Sequence, residues 1–241
     1  MAYFTLAEGI LRDLVEVATT LVSEGRIHAD TDKFWMRAVD TANVAMVEIA
    51  LAPEAFGEYN PDNEELGIDF GKLKNALVGI EKGCTLKVAL LEKRKLAFRN
   101  DTCTYSFTLL EPNTIRKDAN PPVVELPAKV RVDGAEFNAM IKGCRAVGDK
   151  VLLKADPGAG ALHLQTEGDA DEIAYALACE PSAEAHSLYD LEYLKKMAKV
   201  AAKHGNVDLA FGINHPLSLS FYPADGLCTA TYLLAPRIEA D

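Results

Sequence analysis

The chain has 241 residues, of which 49% are hydrophobic and 25% charged, a composition typical of a folded globular protein and unlike that of a disordered one. No apolar run approaches the roughly 20 residues that span a bilayer, and the N-terminal stretch lacks the basic start and cleavage site of a signal peptide, so we expect a cytoplasmic protein that does not contact a membrane. The net charge of −11 counts against nucleic acid as a partner unless positive charge is concentrated somewhere.

The cysteine pattern excludes two further classes. Cys84, Cys103, Cys144, Cys179 and Cys228 are far apart and form no Cys-x-x-Cys pair. This argues against a disulfide framework and against a zinc knuckle. We therefore predict five reduced cysteines that pack in the interior.

Four amphipathic helices are predicted where apolar residues recur every three or four positions. We take them to span 8–22, 69–82, 135–148 and 190–203. Between them apolar residues alternate with polar ones, as in half-buried antiparallel strands, around 86–90, 96–98, 105–109, 173–179, 207–211 and 217–221. The pattern predicts an α+β fold of two similar domains, each with two helices on an antiparallel sheet.

The two halves follow one plan. YSFTLLEP, with Leu109 and Leu110, recurs 124 residues later as ATYLLAP, with Leu233 and Leu234. Segments 68–98 and 189–221 both have the pattern of helix, glycine turn, strand, turn, strand. The stretch between the halves, 111–130, contains four prolines, which favour an extended surface connector. We predict an N-terminal domain at 1–115, a connector at 116–128 and a C-terminal domain at 129–241.

Positive charge is concentrated on the predicted helices, which carry ten Lys and Arg against eight Asp and Glu, a net charge of +2. Lys195, Lys199 and Lys203 are spaced by four and so line one stripe of the last helix. Contacts of this kind go to phosphates and carry no sequence information. For any single lysine, the alternative is an ordinary solvated helix face. The candidate DNA-facing residues are Arg12, Lys72, Lys74, Lys142, Arg145, Lys195, Lys196, Lys199 and Lys203.

Taken in order, these segments resemble the proliferating cell nuclear antigen family of DNA sliding clamps, in particular its archaeal members. The resemblance is carried by the ending LLAPRIEAD, by RAVDTANVAMVEIAL (37–51), by SLYDLEYLKKM (187–197) and by the duplicated plan. It implies a homotrimer of two-domain subunits closed head to tail into a ring, with the helices around a central hole that encircles double-stranded DNA. It also implies that DNA polymerase, clamp loader, flap endonuclease and DNA ligase bind through short peptide motifs.

The resemblance also implies two sets of contact residues. An exposed apolar pocket for partner peptides is expected to be formed by Val39, Asp40, Val44, Val124, Leu126, Pro216, Leu233, Ala235 and Pro236. Edge strands of neighbouring subunits are expected to pair through Tyr105, Phe107 and Leu109 of one and Ile173, Tyr175 and Leu177 of the next. For each pocket residue alone, the alternative is packing in the core.

Other functions are weighed against the residues. The five histidines show no metal-binding spacing, and neither a Gly-x-Ser-x-Gly motif nor a phosphate loop is present. Asp169, Asp171 and Glu180 match three positions of a calcium loop, but Ile173 and Ala174 replace other required residues. We expect a protein that is not an enzyme and needs no metal or cofactor. The remaining alternative is a clamp-like adaptor, or a subunit of a heterotrimer, that does not close around DNA alone.

Overall fold

The computed structural model describes residues 3–63 and 65–238. Residues 1, 2, 64 and 239–241 lie outside that range, including both outer ends of the predicted domains and the last three letters of LLAPRIEAD. The chain divides into two compact units: the first runs to Asn120 and includes Tyr222–Ala230, and the second comprises Pro121–Phe221 and the residues from Thr231 onward. The division after Asn120 falls within the predicted connector, and Tyr222–Ala230 is grouped with the first unit although the predicted C-terminal domain included it.

The first unit contains two helices and nine strands among the residues described. The helices are α1 (Glu8–Thr19) and α2 (Phe70–Val78). The strands are β1 (Tyr3–Ala7), β2 (Glu24–Ala29), β3 (Phe34–Val39), β4 (Ala45–Leu51), β5 (Phe56–Asn60), β6 (Glu65–Asp69), β7 (Thr85–Leu91), β8 (Lys95–Arg99) and β9 (Thr104–Thr108). They form two antiparallel ladders, in the orders β5-β1-β7-β8-β9 and β4-β3-β2-β6.

The second unit repeats this plan with one strand fewer. Its helices are α3 (Gly134–Val147) and α4 (Leu191–Ala201). Its strands are β10 (Ala128–Asp133), β11 (Lys150–Asp156), β12 (Ala161–Glu167), β13 (Glu172–Ala178), β14 (Ala185–Asp190), β15 (Asn206–Phe211), β16 (Leu217–Phe221) and β17 (Cys228–Leu234), the last of which crosses the boundary between the units. The ladder orders β10-β15-β16-β17 and β13-β12-β11-β14 match those of the first unit strand for strand, apart from β5. The predicted duplication and the α+β class are confirmed.

Helix starts are fixed in the same way at three of the four helices. Asp69, Asp133 and Asp190 each accept a backbone N–H of the first turn with the side-chain carboxylate. Such caps satisfy donors that have no partner within the helix. After α2 and α4 the chain turns at Gly83 and Gly205, whose φ values of 79° and 82° are costly for residues with a Cβ. These are the glycine turns predicted from the repeat.

Each unit buries its own aromatic core. In the first unit the ring of Phe4 packs against Phe34, Phe56 and Tyr59 with centroid distances of 6.0, 5.8 and 5.3 Å. In the second unit Phe221 packs on Tyr232 at 5.7 Å. The helices contribute their apolar stripes to these cores, and this packing leaves the opposite helix faces accessible.

Several details differ from prediction, among them the end of α1, which lies at Thr19 rather than at residue 22. Helix α2 ends at Val78 rather than at residue 82, because Gly79 caps it. Lys203 lies in a 3-10 turn (Ala202–His204) after α4 and not on the helix itself. All five cysteines are reduced, but Cys103 is exposed in the turn between β8 and β9 and therefore does not pack in the interior. Its neighbours Asn100 and Thr102 make it part of a polar turn, which an apolar alternation does not reveal.

Candidate nucleic-acid and partner-binding surfaces

Helix α4 has one buried face and one cationic face. Leu191, Leu194 and Met197 are fully buried. Lys195, Lys196 and Lys199 occupy the opposite side and are exposed, and Lys203 continues the stripe just beyond the helix. The stripe thus has the geometry that the spacing of four predicted, and a line of ammonium groups at this spacing suits successive phosphates of a nucleic-acid backbone.

Helix α3 adds one accessible lysine and one engaged arginine. Lys142 is exposed. Arg145 instead donates its Nε to the Glu192 carboxylate at 2.6 Å, and its Nη1 to the carbonyl of Gly148 at 3.4 Å. This bond and the charge of Arg145 lower the pKa of Glu192 below its ordinary value of 4.5. The α3–α4 pair is therefore tied together by an ion pair that neutralises one of the predicted DNA-facing cations.

Of the two helices of the first unit, as far as the structure describes it, α2 is the one with exposed cations. Lys72 and Lys74 are exposed, and Lys72 lies 3.7 Å from the Asp69 carboxylate that caps the helix. Arg12 of α1 points its guanidinium into the helix pair, where Nη2 donates to the carbonyl of Leu77 at 2.6 Å and to that of Ile80 at 3.0 Å. It also pairs with the buried carboxylate of Glu8. These bonds give Arg12 a role in joining α1 to the end of α2.

The residues of the predicted partner pocket belong to both units. In the first, Val39 and Val44 are half-buried, whereas Asp40 is only 5% exposed. The Asp40 carboxylate accepts the backbone N–H groups of Val44 at 2.8 Å and Ala45 at 2.9 Å. Asp40 thus shapes the β3–β4 turn and presents Val44, and its side chain is not itself accessible.

The remaining pocket residues are accessible parts of the second unit. Val124 is 41% exposed, and its neighbour Val123 is fully exposed. Both lie in a segment with no helix or strand, so two adjacent apolar side chains meet solvent there. Leu126, Pro216, Leu233, Ala235 and Pro236 are half-buried. The loop that carries Pro216 is held by Tyr189, whose hydroxyl donates to the carbonyl of His215 at 2.8 Å, and burial raises the pKa of this phenol.

The first half of the connector is anchored to the first unit. Arg26 donates to the carbonyl of Ile115 at 2.6 Å, and Arg37 donates to that of Ala119 at 3.4 Å. His28 Nε2 lies 2.8 Å from the Asp118 carboxylate. Sequence reasoning missed these anchors because the partners are about 80 to 90 residues apart in the chain. They show that the prolines alone do not define the path of the connector.

Strands β9 and β13 each lie at the end of a ladder, with one side unpaired among the residues described. The Leu109 N–H bonds to the carbonyl of Arg94, and alternate residues of an antiparallel pair share this orientation, so the backbone of Tyr105 and Phe107 faces β8. The outward backbone groups of β9 are therefore those of Thr104, Ser106 and Thr108.

The same reasoning applies to β13. The Cys179 N–H bonds to the carbonyl of Gly160, so Ile173, Tyr175 and Leu177 direct their backbone groups to β12. The outward groups belong to Glu172, Ala174, Ala176 and Ala178, whose side chains are exposed.

The predicted interface residues are thus the inward-facing set. Phe107, Leu109 and Leu177 are 8%, 5% and 4% exposed and belong to the cores of their own units. Tyr105, Ile173 and Tyr175 are half-buried. Apolar alternation identified the strands, but it marks the face that packs on the core and not the backbone groups at the edge.

Within 3–63 and 65–238, no helix is long and apolar enough to cross a membrane. No cluster of three or more His, Cys, Asp or Glu side chains suited to a metal ion is found in that same part of the chain.

A sequence model of the family described as "Proliferating cell nuclear antigen, N-terminal domain" matches residues 2–93. The chain is 42% identical over 243 residues to the DNA polymerase sliding clamp of Methanosphaerula palustris, covering 98% of both chains. It is also 42% identical over 244 residues to the DNA polymerase sliding clamp of Methanoculleus marisnigri, again over 98% of both.

The fold has an equally extensive counterpart among solved structures. A. fulgidus PCNA, solved with the C-terminal region of FEN-1 bound, superposes with a TM-score of 0.93 at 30% identity, and the match covers 100% of both chains. The similarity therefore includes both units and every helix and strand described above.

Proposed function

This chain belongs to the DNA polymerase sliding clamp family, the proliferating cell nuclear antigen family, and we propose that it is a processivity factor that closes as a homotrimer around duplex DNA. In this role it tethers DNA polymerase, clamp loader, flap endonuclease and DNA ligase through short peptide motifs, and performs no chemistry of its own. The relatives named above are archaeal, so we place it with the chromosome in the cytoplasm. The observation that carries the proposal is the accessible cationic face of α4 in an acidic chain.

The charge distribution suits a sliding contact. The chain has a net charge of −11, yet Lys195, Lys196 and Lys199 share one exposed helix face. Each phosphate contact contributes about 0.9 to the slope of log affinity against log salt, so a few contacts per subunit give a weak, screened grip. A weak grip permits sliding, and the closed ring prevents escape.

Ring closure requires surfaces that pair head to tail. The outward backbone groups of Thr104, Ser106 and Thr108 on β9 and of Ala174 and Ala176 on β13 are two unpaired edges with small side chains. Open edges of this kind are normally covered or paired in native proteins. We propose that β9 of one subunit pairs with β13 of the next.

Partner binding is proposed at the accessible apolar residues. Val124 and Leu126 in the connector and Pro236 in the tail, all in the second unit, suit a short apolar helical turn from a partner. The bound FEN-1 segment on A. fulgidus PCNA supports extending this mode to flap endonuclease here. A tethered enzyme then works at the high effective concentration that a linker provides.

The DNA-facing role is tested by charge reversal on α4. The variant Lys195→Glu/Lys199→Glu is loaded by a clamp loader onto nicked circular DNA, and its retention is measured by gel filtration before and after the circle is linearised. We expect wild type to stay on the circle and to leave after linearisation, and the variant to load at least about tenfold less, because like charges replace opposite ones along the phosphate path.

The control is the double variant Lys87→Glu/Lys129→Glu, which reverses two exposed lysines on strands. It makes the same charge change away from the helices and is expected to load normally. Normal loading by the α4 variant would refute the DNA-facing assignment. Equal retention on circular and linear DNA would refute the ring, and a wild-type protein that stays monomeric in sedimentation would favour the adaptor.

The partner pocket is tested separately. Leu126→Ala/Pro236→Ala is expected to weaken binding of a flap endonuclease C-terminal peptide by about tenfold or more, since two apolar contacts are lost. The exposed pair Val78→Ala/Leu91→Ala is the control. Unchanged peptide affinity in the first variant, measured by calorimetry with trimer mass intact, would exclude this pocket.

A further inference from the structure

A cleft in the first unit combines positive charge with a volume of about 540 Å³. Its walls come from the end of α1, from β2 and β3, from the start of α2 and from residues 115–117. Volumes of roughly 300 to 1,000 Å³ are usual for sites that bind small molecules. Because all the walls belong to one unit, the cleft does not depend on ring closure.

The lining is strongly cationic. Glu24 is its one carboxylate among the residues described, and its cations are Arg26, Arg37, Lys74, Arg116 and Lys117. Glu65 pairs with Arg26 at 2.7 Å and Glu48 with Arg37 at 2.9 Å.

Three of these cations are uncompensated. Within the described part of the chain, Lys74, Arg116 and Lys117 have no carboxylate at ion-pair distance. Arg116 makes one long bond, from Nη1 to the carbonyl of Asp40 at 3.4 Å. In a chain of net charge −11, this is a local excess of positive charge around a concave surface.

Arg26 lines the cleft with a nearly buried guanidinium. Its side chain is 9% exposed, with Nη1 bonded to Glu65 and Nη2 to the carbonyl of Ile115. Its buried Nε has no hydrogen-bond partner among the described residues. Buried donors are nearly always satisfied, so Arg26 lacks one hydrogen bond, but its Nε is inaccessible to solvent and the case for a ligand rests on the accessible cations around the cleft.

We propose that this cleft binds an anion that carries at least two phosphate groups. Guanidinium groups match phosphate oxygens in pairs, and lysines add point charge. With the carboxylate of Glu24 counted, the three unpaired cations leave a net charge of +2, which suits a diphosphate better than a single carboxylate. The exposed hydroxyls of Ser23 and Thr41 lie in the same lining and add donors. The same chemistry is presented by a free diphosphate compound and by neighbouring phosphates of a DNA backbone.

The test is calorimetric titration of the full chain with inorganic pyrophosphate in phosphate-free buffer of low ionic strength. One site per chain is expected. The double variant Arg116→Gln/Lys117→Gln should weaken the dissociation constant by about tenfold or more, because charge-assisted hydrogen bonds are lost. Lys74→Gln, on a different element, should weaken it in the same direction.

The matched control is Lys195→Gln/Lys196→Gln, which removes the same charge from α4 in the other unit and should change the dissociation constant by less than about twofold. Equal weakening by both double variants, no binding heat, or equally tight binding of a three-glutamate peptide would overturn the proposal.

If a short DNA duplex competes with pyrophosphate, the ligand is the DNA backbone; if it does not, the ligand is a free phosphate compound. Loading and ring closure are not involved in this titration, so its outcome is independent of the proposed clamp function.

Discussion

Arg12 stabilises the contact between α1 and the end of α2, a role that its sequence context does not indicate. It neutralises Glu8, which is 2% exposed, and it caps the carbonyls of Leu77 and Ile80. Breaking a buried pair leaves an uncompensated charge, which costs about 3–5 kcal/mol when both partners are fully buried. Because the Arg12 side chain is 31% exposed, we expect Arg12→Ala to lower the free energy of unfolding by about 2 kcal/mol.

Urea denaturation followed by circular dichroism measures this change. Arg12→Lys keeps a charge beside Glu8 and is expected to recover part of the loss, whereas Lys74→Ala, at an exposed position, should alter stability by less than about 0.5 kcal/mol. Equal stabilities for wild type and Arg12→Ala would contradict the capping role and return Arg12 to the set of candidate DNA contacts.

The cysteines differ sharply in solvent exposure. Cys103 is exposed, whereas Cys228 is buried, and burial together with the nearby Asp13 raises the Cys228 pKa to about 12. The thiolate is the reactive form, so a rise of three units from 9.0 lowers its fraction at pH 8 by about a thousandfold. In native protein we expect iodoacetamide to label Cys103 first and to leave Cys228 unmodified, as read by peptide mass spectrometry. Labelling of both at one rate would show that the environment of Cys228 opens readily.

Residue-level prediction succeeded where a local pattern carries the information. Lys195 and Lys199 share a face because helical spacing dictates it, and Gly83 and Gly205 turn the chain because each follows a helix in the repeat. The bonds of Arg12 to Leu77 and Ile80 were not predicted because tertiary structure sets them, and the local bonds by which Asp40 holds its own turn were also missed. Charge alone does not say whether a guanidinium meets solvent or the end of a neighbouring helix.

At the scale of elements, the ion pair between α3 and α4 neutralises a cation that was predicted to face DNA. Arg145 bonds to Glu192, and the lowered pKa of Glu192 means that this pair stabilises the fold above the ordinary pKa of 4.5. The contribution is lost as the pH falls through the lowered value, since the carboxylate then takes up a proton.

We therefore expect Glu192→Gln to be slightly less stable than wild type at pH 7 and equal to it near pH 2, in thermal melts across that range. The same variant frees Arg145, so its affinity for duplex DNA should rise at pH 7. Asp133→Asn, on the cap of α3, is a control that changes the same charge without touching Arg145. A stability difference that persists at pH 2 would indicate lost packing in place of a lost ion pair.

The strand edges give a prediction with an internal control. Ser106 presents its N–H outward from β9, so Ser106→Pro removes an outward donor and leaves the β8 ladder intact. We expect a folded chain that sediments as a monomer, near 26.1 kDa, whereas Ser106→Ala keeps the N–H and should remain trimeric. A trimer in the proline variant would exclude β9 as a subunit contact.

Strand prediction from alternation was accurate for β9 and β13, but the residues that it selected for assembly face the cores of their own units. Tyr105, Phe107 and Leu177 are apolar because they pack on their own cores, and the intervening small residues carry the open backbone edge. Alternation locates strands and buried faces, while pairing across an edge depends on the hydrogen-bond phase of the ladder. That phase is visible only once the register is known.

At the scale of the whole molecule, duplication and charge separation belong together. Both units have the same ladder order, and the second helix of each carries exposed lysines: Lys72 and Lys74 on α2, and Lys195, Lys196 and Lys199 on α4. The strands and loops carry the remaining net negative charge, apart from the cationic cleft of the first unit, and this charge disfavours DNA on the surfaces that they form. If the chain closes as the proposed ring, few contacts suffice to orient DNA, because topology and not affinity would retain it.

This division predicts a characteristic response to salt. For clamps loaded on closed circular DNA, retention should stay nearly constant as salt rises from 50 to 200 mM, because release requires the ring to open. Binding of the unloaded protein to short linear duplexes should fall steeply over the same range, since each phosphate contact contributes about 0.9 to the log-log slope. Filter binding measures the second quantity and gel filtration of loaded circles the first. Parallel loss in both would mean that electrostatic attraction holds the protein on DNA, and that the cationic helices act as a binding surface in place of the lining of a closed ring.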